Sequence, residues 1–415
     1  MPRFSIIVPT RNRPDTLKVT LNSCLNQKYG DYEIIVSDNA SETDTRGLVA
    51  SLNSSKIRYH KSSIRLSLAD SWEFAVSHAS GEYVILIGDD DGLFEYTLSV
   101  ADQLLKKYPS EILKHQSAIY YWPEIPHIFA NLAQFPIDFR MRFIDIHTDE
   151  WFSKLFQPLS TEFQPYLLPC IYHTFIRNNL IQSIISETGR LFHAHDVDLY
   201  SGFTLAHLAK SMLYLRYPLS IYAISNASNN FNMAIQQDYE SLLQYAANDS
   251  EFRRHPWIPQ RYLYSGIVNC ADAFLNFRKT FQLSPKAYPF DRKLFLKKTL
   301  ATLCSNDPRV LDLQQKALME CCSDDSRLQV WLNDKLQLQS ASLNLQRSAS
   351  LPALYDGNYF SIKGESIGIQ SLSDMLEKIP KLYRHPEQLP VTLEKNLTTS
   401  RPLWRRMIRR LYARN

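Results

Sequence analysis

The chain has 415 residues, of which 45% are hydrophobic, 12% aromatic and 21% charged, with a formal net charge of +4. This composition excludes a disordered chain, the length calls for two or three domains, and so small a charge gives no reason to expect a nucleic-acid partner. No run of about eighteen apolar residues suggests a membrane-spanning helix. The opening Met1 to Pro9 carries one basic residue and a short apolar run ended by proline, unlike a signal peptide, so an uncleaved cytoplasmic protein is expected. Cys24, Cys170, Cys270, Cys304, Cys321 and Cys322 lack any C-x-x-C spacing, which argues for reduced thiols over a zinc site or disulfide framework.

The first hundred residues alternate short apolar runs with amphipathic stretches, the pattern of a parallel sheet covered by helices. Phe4 to Val8 reads as a buried strand. Pro14 and Asp15 then open a helix with Leu17, Leu21, Cys24 and Leu25 on one face. Glu33 to Asp38 is a second strand, followed by the polar turn Asn39 to Glu42, and Lys56 to His60 is a short third. Asp70 to Ala79 aligns Trp72, Ala75, Val76 and Ala79 on a helical face, with Ser80-Gly81 as its expected C-cap. Tyr83 to Ile87 is the fourth strand and runs straight into Gly88-Asp89-Asp90-Asp91. Residues 119–175 are rich in Tyr, Trp, Phe and Pro and yield no element assignment. Helical spacing returns near 199–212, through Leu199, Phe203, Ala206 and Leu208, and from about residue 232 the chain reads as mainly helical, including Tyr262, Ile267, Ala271 and Phe274. A polar stretch at Ser340 to Ser350 reads as a linker before the glycine-containing Asp356 to Ile362.

Ligands of an open parallel sheet gather outside the carboxyl ends of its strands. Three polar sets stand at such ends: Thr10 to Arg13, Asp38-Asn39, and Asp89-Asp90-Asp91. Three adjacent carboxylates repel one another unless a cation or solvent offsets them. Oxygen-only ligands favour Mn²⁺ or Mg²⁺ completed by substrate phosphates, which suits a nucleoside diphosphate.

The runs Phe4 to Arg13, Tyr32 to Ser41 and Gly81 to Val84 leading to Gly88-Asp89-Asp90-Asp91 resemble family 2 glycosyltransferases of the GT-A fold. That resemblance implies an α/β fold with a mixed, mainly parallel sheet and helices on both faces, a nucleotide-sugar donor, a divalent metal and inversion at the anomeric carbon. It implies that Asp38 bonds the base with Asn39 beside it, that Pro9, Thr10 and Arg11 border the nucleotide, and that Arg65 approaches its phosphates or base. It makes Asp90 the principal metal ligand, with Asp89 and Asp91 shared between metal and ribose. The family's commoner form has Asp where this chain has Gly88, so the division among the three stays open. On this basis residues 1–230 form the glycosyltransferase domain, with 1–105 the nucleotide-binding half and 106–230 the acceptor-side half, and 231–400 form a helical accessory domain.

An acceptor-activating carboxylate is expected downstream, and Asp196 and Asp198 in His195 to Tyr200 compete for it, with Asp198 preferred at the start of a helix. Leu403, Trp404, Met407, Ile408, Leu411 and Tyr412 share one helical face in a tail otherwise rich in arginine. Arg401 to Asn415 is therefore read as a contact for an anionic membrane surface, with docking on the chain's own body or a nucleic-acid tail as the alternatives. The expected activity is sugar transfer to a glycan or lipid-linked acceptor in surface-polysaccharide biosynthesis, by a protein held at the inner face of the membrane. The rivals are a non-catalytic nucleotide-sugar or glycan-binding protein and a sugar nucleotidyltransferase. Thr10 to Arg13 lacks the phosphate-gripping glycine loop that the last would need.

Overall fold

The computed structural model describes residues 1–125, 129–136, 141–144, 147, 149–226, 228, 254–263, 265–303, 307–340 and 359–382. In chain order the first part gives β1 (Phe4–Thr10), α1 (Pro14–Leu25), β2 (Tyr32–Asp38), α2 (Thr45–Ser51), β3 (Ile57–Lys61), α3 (Leu68–Val76) and β4 (Tyr83–Leu86). Successive side chains of a strand point to opposite faces. Phe4, Ile6 and Val8 of β1 accordingly join one core with Leu17, Leu21 and Cys24 of α1, while Ile7 joins a second with Ala75 and Val76 of α3. Both faces are covered, which is why these strands read as continuous apolar runs.

The expected helix near Asp70 starts earlier, because Ser67 caps it by accepting from Asp70 N at 3.2 Å, and it ends at Val76 with Ser77 as its C-cap. Gly81 is therefore not a C-cap. A Cβ there would lie 2.5 Å from Ser5 N, so glycine is needed for the close approach of two backbones.

Residues 92–224, of which 119–175 had no element assignment and the helical stretch near 199–212 becomes α7, supply most of the remaining sheet. They comprise β5 (Gly92–Leu93), α4 (Thr97–Lys107), β6 (Ile112–Tyr121), β7 (Leu132–Pro136), β8 (Met141–Ile144), α5 (Asp149–Phe156), β9 (Thr174–Arg177), α6 (Asn178–Thr188), α7 (Val197–Leu208) and β10 (Met212–Ile224). β3, β2, β1 and β4 are mutually parallel. β9 runs antiparallel to both β4 and β6, and β10 runs parallel to β6. The sheet is thus mixed, and β6 and β10 regain the direction of β4. One edge of it collects the carboxyl ends of β1, β2, β4, β6 and β10, together with the residues that lead into β9.

The C-terminal region contributes α8 (Gly266–Thr280), α9 (Arg292–Leu300), α10 (Pro308–Glu320) and α11 (Ser326–Ser340). α8 gives Phe274 and Phe277 to the second sheet core and Ala271 and Leu275 to a separate helical core. Beyond them, β11 (Tyr359–Lys363) pairs antiparallel with β7, and α12 (Leu372–Leu382) buries Leu372, Met375 and Ile379 in the first core, although both fall in the stretch read as accessory. Three such side chains contribute on the order of 5 kcal/mol before ordering costs. The proposed tail helix from Arg401, most of the expected linker, and Cys304 lie outside the described residues. The other five cysteines are free thiols. Among the described residues no helix is long and apolar enough to cross a membrane.

Candidate active site

The acid loop follows β4. A Cβ on Gly88 would meet the Tyr172 hydroxyl at 2.7 Å, so the glycine lets the loop close against the residues before β9. The three aspartates then meet different surroundings.

Asp89 faces the first strand. Its Oδ2 accepts from the Thr10 hydroxyl at 2.7 Å, and its Oδ1 pairs with the Arg13 guanidinium at 3.0 Å. Burial raises its carboxyl, and Arg13 and Thr10 act against that rise. Burial likewise pulls Arg13 down, but the charges of Asp89 and Asp90 outweigh it and leave its affinity for the proton raised.

Asp91 is fully buried and accepts four bonds. Ala223 N donates to Oδ1 at 2.7 Å, while Gly88 N at 2.6 Å, His173 Nε2 at 2.9 Å and the Tyr172 hydroxyl all meet Oδ2. His173 reaches on through Nδ1 to Ser220 Oγ at 2.7 Å, and Ser220 to Ser117 at 2.9 Å. Asp91 was expected among the metal ligands. Through these bonds Asp91 holds the loop to β9 and β10, and its Oδ1, which takes only the Ala223 N–H, keeps a second lone pair.

Asp90 lies between them. Its Oδ2 accepts from Ser225 Oγ at 2.6 Å and Ser228 Oγ at 2.9 Å, and its Oδ1 has no hydrogen-bond donor among the described residues. Trp122 Nε1 donates to its backbone carbonyl at 3.2 Å. Burial, then Asp91 and Asp89, push the Asp90 carboxyl up to about 7. A buried carboxylate with one free oxygen and two acidic neighbours fits a divalent cation completed by substrate phosphates. No three His, Cys, Asp or Glu side chains form a metal cage among the described residues, and Asp90 is the member of the triplet best placed for that role.

The β2 end is organised around Asp38 and Asn39. Asp38 is fully buried, its Oδ1 accepting from Ser41 N at 2.7 Å and its Oδ2 from the Tyr59 hydroxyl at 2.5 Å. Each oxygen takes one bond from the turn, so Asp38 shapes the loop while each oxygen keeps a second lone pair. Asn39 grips Leu66 through two bonds, accepting from Leu66 N at 2.7 Å and donating to Leu66 O at 3.0 Å. That clasp brings the exposed Arg65 beside the β2 end. Pro9 and Arg11 are half-buried at the β1 end, and Arg11 Nε is shut from solvent without a partner among the described residues. Asn12, Ala40 and His173 adopt left-handed backbones, with φ of 55°, 52° and 52°. Such conformations cost about 1–2 kcal/mol for a residue with a Cβ, and they concentrate at functional loops.

On the far side, Asp196 is the N-cap of α7, accepting from Leu199 N at 3.0 Å. The cap geometry expected of Asp198 therefore belongs to Asp196. Asp198 lies in the first turn with Oδ1 buried and without a partner among the described residues, and burial with the neighbouring Asp196 raises its carboxyl well above the usual range. Burial and the charges of Asp91, Asp198 and Asp90 together raise the Tyr222 hydroxyl, so Tyr222 lies within the field of both acidic sets. Glu73 accepts from Phe192 N at 2.7 Å and ties α3 to the loop before α7. Tyr172, His173, Ser225 and Ser228 are the contributors that the motifs did not single out, while Arg13 stands in the polar set at the end of β1.

Residues 5–124 match the family model described as glycosyl transferase family 2. Over 106 residues the chain is 37% identical to the GalNAc(5)-diNAcBac-PP-undecaprenol beta-1,3-glucosyltransferase of Campylobacter jejuni, covering 25% of this chain and 34% of that protein. Over 104 residues it is 30% identical to the UDP-Glc:alpha-D-GlcNAc-diphosphoundecaprenol beta-1,3-glucosyltransferase WfaP of Escherichia coli, covering 25% and 41%. Over 107 residues it is 34% identical to the abequosyltransferase RfbV of Salmonella typhimurium, covering 25% and 32%. The match thus spans about a third to two fifths of these relatives. The structure of S. aureus TarS 1-349 with UDP-GlcNAc aligns over 81% of this chain and 92% of that one, at 15% identity and a TM-score of 0.46. The chain therefore carries a glycosyl transferase family 2 domain over residues 5–124, set in a GT-A-like α/β fold with a mixed sheet.

Proposed function

We propose that this protein is an inverting glycosyltransferase, dependent on Mn²⁺ or Mg²⁺, that passes a sugar from a nucleotide-sugar donor to a glycan or lipid-linked acceptor in surface-polysaccharide assembly. The observation that carries this reading is Asp90, whose buried carboxyl is pushed up to about 7 while one oxygen is held by two serines and the other meets no donor among the described residues. A divalent cation there would offset charge on the departing diphosphate. Arg13, fixed on Asp89, adds a protein cation on the same side, and Arg11, Asn39 and Arg65 border the nucleotide. Asp198 takes the acceptor proton as the acceptor oxygen attacks from the face opposite the diphosphate.

The named relatives make a UDP-sugar donor and a polyprenyl-diphosphate-linked sugar acceptor the first pair to try. Asp90→Asn should keep the fold and lose about 10²- to 10³-fold in kcat. Full turnover in chelator would overturn the metal dependence. Failure to consume any of a panel of nucleotide sugars would overturn the enzyme reading.

The same proposal makes Arg401 to Asn415 a contact with anionic lipid at the inner membrane face. Removing residues 401–415 should abolish flotation with phosphatidylglycerol vesicles, and the intact chain should lose that binding as salt rises. Equal flotation of the shortened chain would remove the anchor.

A further inference from the structure

Between the acid loop and the head of α7 runs a row of aromatic rings. Tyr172, whose hydroxyl donates to Asp91, stacks on Trp72 of α3 with centroids 5.7 Å apart and planes at 28°. Trp72 meets Phe192 edge-on at 6.1 Å, and Phe192 stands in the loop that leads into Asp196 and Asp198. That loop is pinned to α3 twice, by Phe192 N on Glu73 and by Arg190 on Asp70 at 2.7 Å. Tyr222 crosses Tyr172 edge-on at 5.8 Å. The row therefore joins the carboxylate set that would serve the donor diphosphate to the one that would activate the acceptor.

The rings also differ from core rings in exposure. Phe192, Phe203 and Tyr200 nearby are wholly buried, whereas Trp72, Tyr172 and Tyr222 are half-buried. Large aromatic rings left partly open beside polar groups suit a ligand with one apolar face and a polar rim, as a pyranose has. At its Tyr222 end the row lies in the field of Asp198 as well as of Asp91 and Asp90.

We infer that Trp72, Tyr172 and Tyr222 form the subsite for the acceptor sugar, with Trp72 taking the C–H face of its ring. This rests on the glycosyltransferase reading above. Trp72 is then a determinant of acceptor affinity rather than a mere packing residue of α3.

The test uses the full chain, with octyl N-acetylglucosaminide as the acceptor probe. Trp72→Leu should raise the acceptor KM about tenfold or more against a donor KM change under about twofold, and Trp72→Phe should recover most of the loss. The glycoside should also change the tryptophan fluorescence of the native chain, and Trp72→Phe should bind it without that change. An unaltered acceptor KM in Trp72→Leu, or equal rises in both KM values, would overturn the subsite. So would a fluorescence response that persists in Trp72→Phe, a measurement that holds even if the leucine variant does not fold. Fluorescence titration needs no turnover, so an inactive native chain would strike the enzymatic reading while the subsite is still judged separately.

Discussion

The two sides of the acid loop are held by different chemistry. On the side of β1, Asp89 is neutralised by a charge, Arg13, and steadied by Thr10. On the side of β9 and β10, Asp91 is held by four hydrogen-bond donors, two of them backbone N–H groups. Asp90, between these anchored neighbours, receives two hydroxyls on one oxygen only. The contrast teaches that an acidic triplet need not be three equivalent ligands. The outer carboxylates fix the loop on two flanks of the sheet, and the middle one keeps the unmet electrostatic demand.

The largest effect should come from breaking the β9–β10 flank. In Asp91→Asn a donor amide replaces an acceptor that four groups require, leaving buried donors unpaired. The loss should be about 3 kcal/mol or more of unfolding free energy, with activity falling alongside it. Asp90→Asn should do the reverse, removing turnover without loss of stability. Denaturant titration of both variants distinguishes the two roles. An Asp91→Asn protein of native stability that lost only cation affinity would restore Asp91 to the metal ligands.

The same contrast governs what the sequence discloses. Phe4 to Val8, Glu33 to Asp38 and Tyr83 to Ile87 announce themselves because strands buried on both faces must be continuously apolar, and their polar ends then mark the crevice. β6 and β10 do not read this way. Lys114, His115, Gln116 and Ser117 are buried within β6, and Arg216 and Ser220 within β10, so polar residues interrupt the expected pattern. His173 reaches the loop through antiparallel pairing of β9 with β4 and β6, and Ser225 through pairing of β10 with β6 and β5, long-range registers that no local spacing encodes. Asp38 and Asp198 show a subtler limit. The positions are legible, but whether a carboxylate faces a ligand or its own loop depends on partners such as Tyr59 and on which of two nearby aspartates becomes the cap.

A smaller effect should separate Asp198 from Asp196. Burial holds the Asp198 proton more tightly in the folded chain than in the unfolded one. As pH rises above about 4, the ordinary carboxylate range, the unfolded state releases this proton first, so the group costs stability at neutral pH and costs none below that range. Asp198→Asn should therefore melt higher than the native protein at pH 8 and equally at pH 3.5, while losing about 10²-fold in kcat. Asp196→Ala should lose about 1 kcal/mol of stability as its cap is removed, with little loss of turnover. Near-normal kcat in Asp198→Asn with collapse in Asp196→Ala would assign the base to the cap.

The smallest effect concerns the donor flank, where the loop reading of Asp38 can be weighed against a direct base contact. If Asp38 acts by ordering the turn, its partners should share its energy. Tyr59→Phe removes one donor, and Asp38→Asn alters the acceptor for both the Tyr59 hydroxyl and Ser41 N. Each variant should then lose about 1 kcal/mol of stability and weaken donor binding about threefold, and the double variant should lose less than the sum, with a coupling near 1 kcal/mol. A base contact predicts another pattern, because a bond made equally in the ground and transition states raises the donor KM without touching the fold. Asp38→Asn would in that case weaken the donor by well over tenfold at unchanged stability, and Tyr59→Phe would leave donor affinity intact or improve it by freeing an acceptor lone pair. Unfolding curves and donor affinity for the three variants settle the matter, since only the loop role couples Tyr59 to Asp38 in stability as well as in binding.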